Sequence, residues 1–187
     1  MLFKKKPSEL TIIKDCAKGK PSAQKQLYEL YFNYAMSIAM RYASNRDEAI
    51  EVVNDSFIKV FSSIDRFNQE QPFKAWFRQI VIFTSIDHYR KSIKEQHDSL
   101  DSLYVHRGVE PDIFSDLGEE DILQCVQQLA PGYRTVFVLY VVEGYKHHEI
   151  ADMLGISEGS SKSNLSIARE KLRNMIGHSK ANHRRHG

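Results

Sequence analysis

The sequence predicts an all-α protein of two small helical domains joined by a flexible acidic linker, the C-terminal domain containing a helix-turn-helix. Three observations carry this expectation. Apolar residues recur at three- and four-residue spacing, and the N-terminal block shows no strand alternation or hairpin signal. Charge divides the 187 residues into three blocks: 16 basic against 10 acidic residues over 1–94, one against nine over 95–128, and nine against five over 129–187. Finally, His147–Arg173 reads as two short helices around a tight turn, the second of them basic.

Each element follows from local pattern. Leu10, Ile13 and Ala17 mark a first short helix that ends near Gly19–Pro21. Leu27, Leu30, Tyr31, Tyr34, Ile38 and Tyr42 form a long stripe, which Asn45–Asp47 breaks while capping the next helix. Ile50, Val53, Phe57, Val60, Phe61 and Ile64 are the apolar face of that helix. Residues 65–72, DRFNQEQP, are polar and end in proline, as a loop does. Phe73, Trp76, Phe77, Ile80, Val81 and Thr84 open a helix running to about Ile93. Residues 94–118 hold acids, Glu110–Pro111 and two glycines, a composition that suits a mobile linker. Ile122, Val126 and Leu129 resume the pattern, Pro131–Gly132 breaks it, and Val136, Phe137, Leu139, Tyr140 and Val141 follow on a largely buried helix. The domains are therefore expected at 1–93 and 119–177, with 94–118 as linker and 178–187 as a basic disordered tail.

The stretch His147–Arg173 is the most informative. Ile150, Ala151 and Leu154 lie at i, i+1 and i+4 on one face of a short helix, and Ala151 is small where a second helix must cross closely. Gly155 stands where helices commonly end in a left-handed conformation that glycine tolerates. Ile156 is placed to plug the core beneath the turn. Ser157 is a good N-cap, and Glu158 suits the first turn of the following helix. Leu165, Ala168 and Leu172 give that helix a buried face. Ser160, Ser161, Lys162, Asn164, Arg169 and Arg173 occupy its other faces, and side chains of these types donate to phosphates and base edges. The plainer alternative is a helical hairpin in an ordinary core with a solvated basic face. Ser161 stands where a generic helix-turn-helix often has an aliphatic residue.

Composition narrows the function classes. An apolar content of 42% suffices for packed cores, and no apolar run approaches the roughly 20 residues of a membrane helix. The N-terminal MLFKKKPSEL is basic but lacks the apolar stretch of a secretory signal. Cys16 and Cys125 lie far apart without a CxxC pattern, as expected of reduced thiols in a cytoplasmic protein. His147 and His148 are adjacent and diverge on a helix, a poor metal-ligand geometry. There is no nucleophile–base pair, no paired carboxylates and no ligand cluster at useful spacing, so no catalytic residue, metal or cofactor is expected. Two basic blocks, net +6 and +4, flank an acidic one of −8. Such asymmetry suits two nucleic-acid-facing modules and a tether.

A second candidate site lies upstream. Loop 65–72 and the helix after it interleave Phe67, Trp76 and Tyr89 with Arg66, Asn68, Lys74, Arg78, Gln79, Thr84, Ser85, His88 and Lys91. Bases of single-stranded nucleic acid stack on such rings while cations track the backbone. Helical spacing also makes most of these rings core candidates, which leaves Lys74, Arg78, Thr84, Ser85, His88 and Lys91 as the better contacts.

DEAIEVVNDSFIKVFSSIDRFNQEQPFKAWFRQIVIFTSIDHYRK (47–91) resembles the promoter-melting domain of bacterial sigma-70-family factors. LAPGYRTVFVLYVVEGYKHHEIADMLGISEGSSKSNLSIAREKLR (129–173) resembles the C-terminal domain of the same family. The layout, two domains and a short linker, is similar to the extracytoplasmic-function (ECF) group. The resemblance implies that Asp47, Glu51, Val52, Asp55, Ser56 and Lys59 dock on the coiled coil of the largest RNA polymerase subunit. It implies that 65–92 opens the minus-ten element and holds an extruded base, and that 158–173 reads the minus-thirty-five duplex. The implied partners are core RNA polymerase, through its coiled coil and flap, promoter DNA and an anti-sigma factor; no membrane insertion is implied. The acidic linker would lie near the RNA exit path as a nucleic-acid mimic or as a solvated tether. Many relatives have an acid where Ile50 stands, an asparagine at Phe83 and an arginine at Asn164, which bears on the detailed base preference. The alternative function is a stand-alone helix-turn-helix regulator of operator DNA, with 1–94 as a sensing or dimerisation domain.

Overall fold

The computed structural model describes residues 7–98 and 119–183. Among them every regular element is helical: α1 (Glu9–Ala17), α2 (Pro21–Ala39), α3 (Arg46–Ser63), α4 (Phe73–Asp98), α5 (Glu119–Gln127), α6 (Pro131–Phe137), α7 (His147–Leu154) and α8 (Glu158–His183). A 3₁₀ turn, Ile64–Arg66, follows α3, and a π turn, Val138–Val142, follows α6. Helices α1–α4 form one bundle, and α5–α7 pack around α8 in a second.

The caps explain the boundaries. Ser8 Oγ accepts from Thr11 N at the start of α1. Asn45 Oδ1 accepts from Glu48 N at 2.9 Å, and the Glu48 carboxylate accepts from Ser44 N at 2.6 Å, a reciprocal lock on the start of α3. Pro21 and Pro131 each occupy the first turn of a helix, where no N–H is needed. The predicted break at Pro131–Gly132 is thus the start of α6.

An aromatic cluster holds the first bundle. Tyr31, Phe57, Phe73 and Phe77 are all buried. Phe77 meets Phe57 at 4.9 Å and Tyr31 at 5.6 Å between ring centroids, and Tyr31 meets Phe73 at 5.0 Å. Burying each phenylalanine contributes about 1.5–3 kcal/mol, and edge-to-face or tilted pairs add to that.

The predicted apolar faces shift in places. In α1 the buried residues are Ile12, Ile13 and Cys16, while Leu10 and Ala17 are exposed. The sequence there offers two overlapping stripes, and contact with α2 selects the one bearing two isoleucines. Leu30, Ile122 and Val141 are likewise exposed. At Val141 the cause is local: Glu143 N donates to Val138 O five residues back, and this wider turn carries Val141 and Val142 outward.

Two predicted boundaries need correction. Helix α4 continues to Asp98, because KSIKEQHD lacks any proline or glycine, so 94–98 are helical rather than linker. Residues 178–183 are helical rather than a disordered tail, since no proline interrupts α8 and Leu172 and Met175 extend its packed stripe. The remaining linker, 99–118, and the end of the tail, 184–187, lie outside the described residues.

Cys16 is buried in the first bundle, and burial pushes its thiol up to about 11. The expected result is negligible alkylation of Cys16 by iodoacetamide near neutral pH, rising sharply in denaturant, read by peptide mass spectrometry. Rapid labelling of the folded chain would mean that the α1–α2 packing opens readily.

The two bundles meet along a seam, with α4 against α6 and α7. Arg134 on α6 is 1% exposed; it donates to Gln127 O and, across the seam, to Ser44 Oγ, both at 2.7 Å. Gln127 Nε2 donates to Met40 O at 2.9 Å. Arg78 on α4 pairs with Glu143 at 2.5 Å, and Arg90 donates to Asp152 O.

Candidate nucleic-acid interface

The helix-turn-helix forms as its pattern predicts. Ile150, Ala151 and Leu154 are buried beneath α7, and Leu165, Ala168 and Leu172 beneath α8. Gly155 has φ +67°, the left-handed value that makes glycine the suitable residue, and Ile156 N closes the turn on Ala151 O. Ser157 Oγ accepts from Ser160 N at 3.0 Å, which starts α8. Glu149 accepts from Lys146 N at 2.7 Å and starts α7.

On α8 the exposed candidates are Ser160, Lys162, Arg169 and Arg173, and Asn164 is half-buried. Lys162 pairs with Glu158 at 2.7 Å, one helical turn away. This contact holds the Glu158 carboxyl below its ordinary range. The Arg169 guanidinium lies 5.7 Å over the Tyr140 ring. Pairs this exposed contribute little, so a phosphate can displace Glu158 from Lys162 at small cost. Ser161 is the exception. It is wholly buried, and its hydroxyl meets His147 Nδ1 at 2.9 Å. A side chain enclosed between α7 and α8 does not reach DNA, so its place among the duplex contacts is corrected to one inside the motif. The spacing of Leu165 and Leu172 already points to this: 161, 165, 168 and 172 form one inward stripe.

The upstream site divides in the same way. Arg66, Asn68, Lys74, Gln79 and Lys91 are exposed. Asn68 Oδ1 accepts from Glu70 N and shapes the loop, and Lys74 Nζ lies 4.5 Å over the Tyr34 ring. Trp76 is half-buried, 5.0 Å from the buried Phe67 ring, which in turn packs on Phe73. Phe67 is thus part of the bundle wall rather than an open platform. Thr84 and Ser85 are buried and donate to Ile80 O and Val81 O one turn back. Helix i−4 bonding satisfies both hydroxyls internally, so neither offers a strand contact. Arg78 and Tyr89 lie at the seam. Arg78 pairs with Glu143, and the Tyr89 hydroxyl stands 3.3 Å from where a Cβ on Gly132 would be. Phe83, on an outer stripe of α4 with Gln79 and Asp87, is 48% exposed.

On α3, Asp47, Glu51, Asp55 and Lys59 recur every four residues along one exposed face. Val52 and Ser56 are buried, with Ser56 Oγ donating to Val52 O, and are corrected from the docking set to the core. Two side-chain contacts tie α3 to α4: a hydrogen bond between Asp55 and His88 at 2.7 Å and an ion pair between Lys59 and Asp87 at 2.6 Å. The docking and strand candidates therefore share side-chain contacts. Ile58, 65% exposed on α3, was absent from the apolar stripe read in the sequence and extends the outer face.

Sequence reasoning missed Arg134, Glu143, Tyr140 and the role of His147. Each acts through a partner distant in sequence, as Arg78 does for Glu143 and Ser161 for His147. A buried arginine within an apolar helix was the one available signal.

The family comparisons fit these two units. The family model Sigma-70 region 2 matches residues 27–94, and Sigma-70, region 4 matches residues 119–172. RNA polymerase sigma factor SigV of Bacillus subtilis is 28% identical over 137 residues, 73% of this chain and 80% of its own length. ECF RNA polymerase sigma factor SigW of the same organism is 27% identical over 176 residues, covering 88% and 94%. The fold of sigma factor RpoE from Bartonella quintana, solved with the anti-sigma factor NepR, superposes with a TM-score of 0.50 at 24% identity over 82% of this chain and 96% of that one. With both region matches in order on two helical units and full-length ECF relatives, the chain belongs to the ECF group of the sigma-70 family.

Proposed function

We propose that this ECF sigma factor binds core RNA polymerase and directs promoter-specific initiation by dividing the work among three faces. The exposed face of α8, through Ser160, Lys162, Asn164, Arg169 and Arg173, reads the minus-thirty-five duplex. The loop after α3 and the outer surface of α4 engage the melted minus-ten strand through Arg66, Asn68, Lys74, Gln79 and Lys91, joined by Trp76. The acidic row Asp47, Glu51 and Asp55, with Lys59, docks on the polymerase. No step of this work is catalysis by the chain itself, and no cofactor is assigned. Its place of action is the cytoplasm, where polymerase and promoter DNA meet. The proposal includes an anti-sigma partner, a class of protein bound by the Bartonella quintana relative.

The observation that carries this reading is the pairing of a formed helix-turn-helix with a separate bundle bearing cations and aromatics, each matched to its own sigma-70 region. Gel filtration of the full chain with core polymerase, followed by transcription from promoters mapped after overexpression, tests it. Co-elution and promoter-directed transcripts are expected. A chain that binds duplex DNA but never co-elutes would instead be a stand-alone regulator.

A narrower prediction concerns Lys162. Replacing it by alanine removes one phosphate contact, so binding should weaken across promoter sequences and the salt dependence should flatten by about one charge. Titrations at several salt concentrations measure the slope, and an unchanged slope removes Lys162 from the phosphate contacts.

A further inference from the structure

Tyr140 sits where three parts of the C-terminal unit meet. It belongs to the π turn Val138–Val142, between the buried Leu139 and the exposed Val141, and is itself half-buried. Turns of this kind are rare and are frequent at functional sites. Here the turn sets the Tyr140 ring against α7 and α8 at once. The His147 ring, at the start of α7, stacks on it at 4.5 Å with 24° between the planes. The Arg169 guanidinium of α8 lies 5.7 Å over it, within the range of a cation–π contact. His147 is fixed in turn by the buried Ser161 hydroxyl, 2.9 Å from its Nδ1. One chain of contacts thus runs from the enclosed side of α8, through α7 and the π turn, back to the exposed side of α8.

Two cations of that exposed side are held differently. Lys162 is paired with the Glu158 carboxylate, which must leave before a phosphate can take its place. Arg169 is held by a ring, and at that contact no anion competes with DNA. A guanidinium carries its five N–H donors in one plane, so a ring against its face leaves the donating edges free. The same side chain can therefore keep its ring and donate to a phosphate or a base edge at the same time. An arginine also loses rotamer freedom when it binds, and one already resting on a ring has lost part of it beforehand.

We infer that Tyr140 is a positioning residue for duplex recognition: its ring holds the Arg169 guanidinium in the orientation in which it contacts DNA, and His147 and Ser161 hold the ring. This deepens the duplex-reading role proposed for α8 and rests on it. Tyr140 itself needs no contact with DNA. Its hydroxyl is not required either, because the cation meets the ring, so phenylalanine is an adequate replacement and an aliphatic residue is not.

The test uses holoenzyme assembled from core polymerase and the full chain, with a fluorescein-labelled duplex carrying the upstream element of a mapped promoter. Tyr140→Leu should weaken binding about two- to fivefold, the worth of an exposed cation–π contact. Tyr140→Phe should bind as wild type does. Arg169→Ala should weaken binding and flatten its salt dependence by about one charge. In the Arg169→Ala background, Tyr140→Leu should have no further effect, a coupling that a ring serving only to pack the unit would not produce. Melting curves show that the variants fold; should Tyr140→Leu melt early, Tyr140→Met takes its place in the same cycle. Equal losses from Tyr140→Leu with and without Arg169 overturn the positioning role, as does wild-type binding by the folded leucine variant. A phenylalanine variant as weak as the leucine one moves the effect to the hydroxyl and overturns the ring contact. If Arg169→Ala itself changes neither affinity nor salt slope, Arg169 is no duplex contact, and the inference falls together with that part of the duplex reading.

Discussion

Phe77→Ala is expected to lower the stability of the N-terminal bundle by about 3–5 kcal/mol, as phenylalanine truncations in packed cores do. The ring is completely buried and touches Phe57, Tyr31 and Phe73, so no neighbour can relax into the space without breaking another ring contact. Urea unfolding followed by helical circular dichroism measures the loss. Trp76→Ala is the informative companion. Trp76 is half-buried and next to Phe77 in sequence, and its ring meets those of Phe67 and Phe73 at 5.0 and 5.6 Å. It should cost clearly less stability, while promoter opening, read by permanganate reactivity of unpaired thymines, falls further than the stability loss explains. Equal destabilisation by the two substitutions would assign Trp76 to the core and withdraw it from the strand site.

Ser161→Ala is expected to impair duplex binding without removing any DNA contact. The hydroxyl is enclosed and meets His147 Nδ1, and the His147 ring stacks on Tyr140 at 4.5 Å, under the Arg169 guanidinium. Deleting the serine hydroxyl leaves Nδ1 of the half-buried His147 without this partner, at a cost of about 1 kcal/mol. The same network fixes α8 against α7, so Arg169 loses its support. His147→Ala should produce a similar loss, and the double variant should cost less than the two singles added, with a coupling of about 0.5–3 kcal/mol. Thermal melts and promoter titrations together measure this. Simple additivity would mean that the serine and histidine act independently.

The two substitutions also mark how far the sequence was legible. Helix number, order and the helix-turn-helix followed from spacing, because an α-helix imposes its period on whichever residues face the core. Gly155, Ser157 and Asn45 were readable as turn and caps because their chemistry is local. The exposed lysines and arginines of α8 were readable for the same reason: they lie opposite the Leu165, Ala168 and Leu172 stripe. Ser161, Thr84, Ser85 and Ser56 were misassigned as contacts because a hydroxyl can satisfy itself within a helix or motif and so tolerates burial. Polarity alone does not tell which way such a residue faces. Leu10 and Ile12 point to nearly opposite sides of a short helix, and packing against α2 and the 3₁₀ turn decides which side is buried.

The sequence by itself determined two helical units, the local chemistry of their turns and caps, and the family to which they belong. These properties depend on neighbours within a few residues, or on patterns repeated along one helix. The tertiary structure decided the rest. It placed Glu143 on Arg78 and His147 on Ser161, buried Arg134, and brought the two units together over the face of α4. Each of these pairings joins side chains between 14 and 90 positions apart, as for His147 with Ser161 and Arg134 with Ser44. Helical periodicity carries no information across such distances, so the partner of a buried charge becomes visible only when the chain is folded.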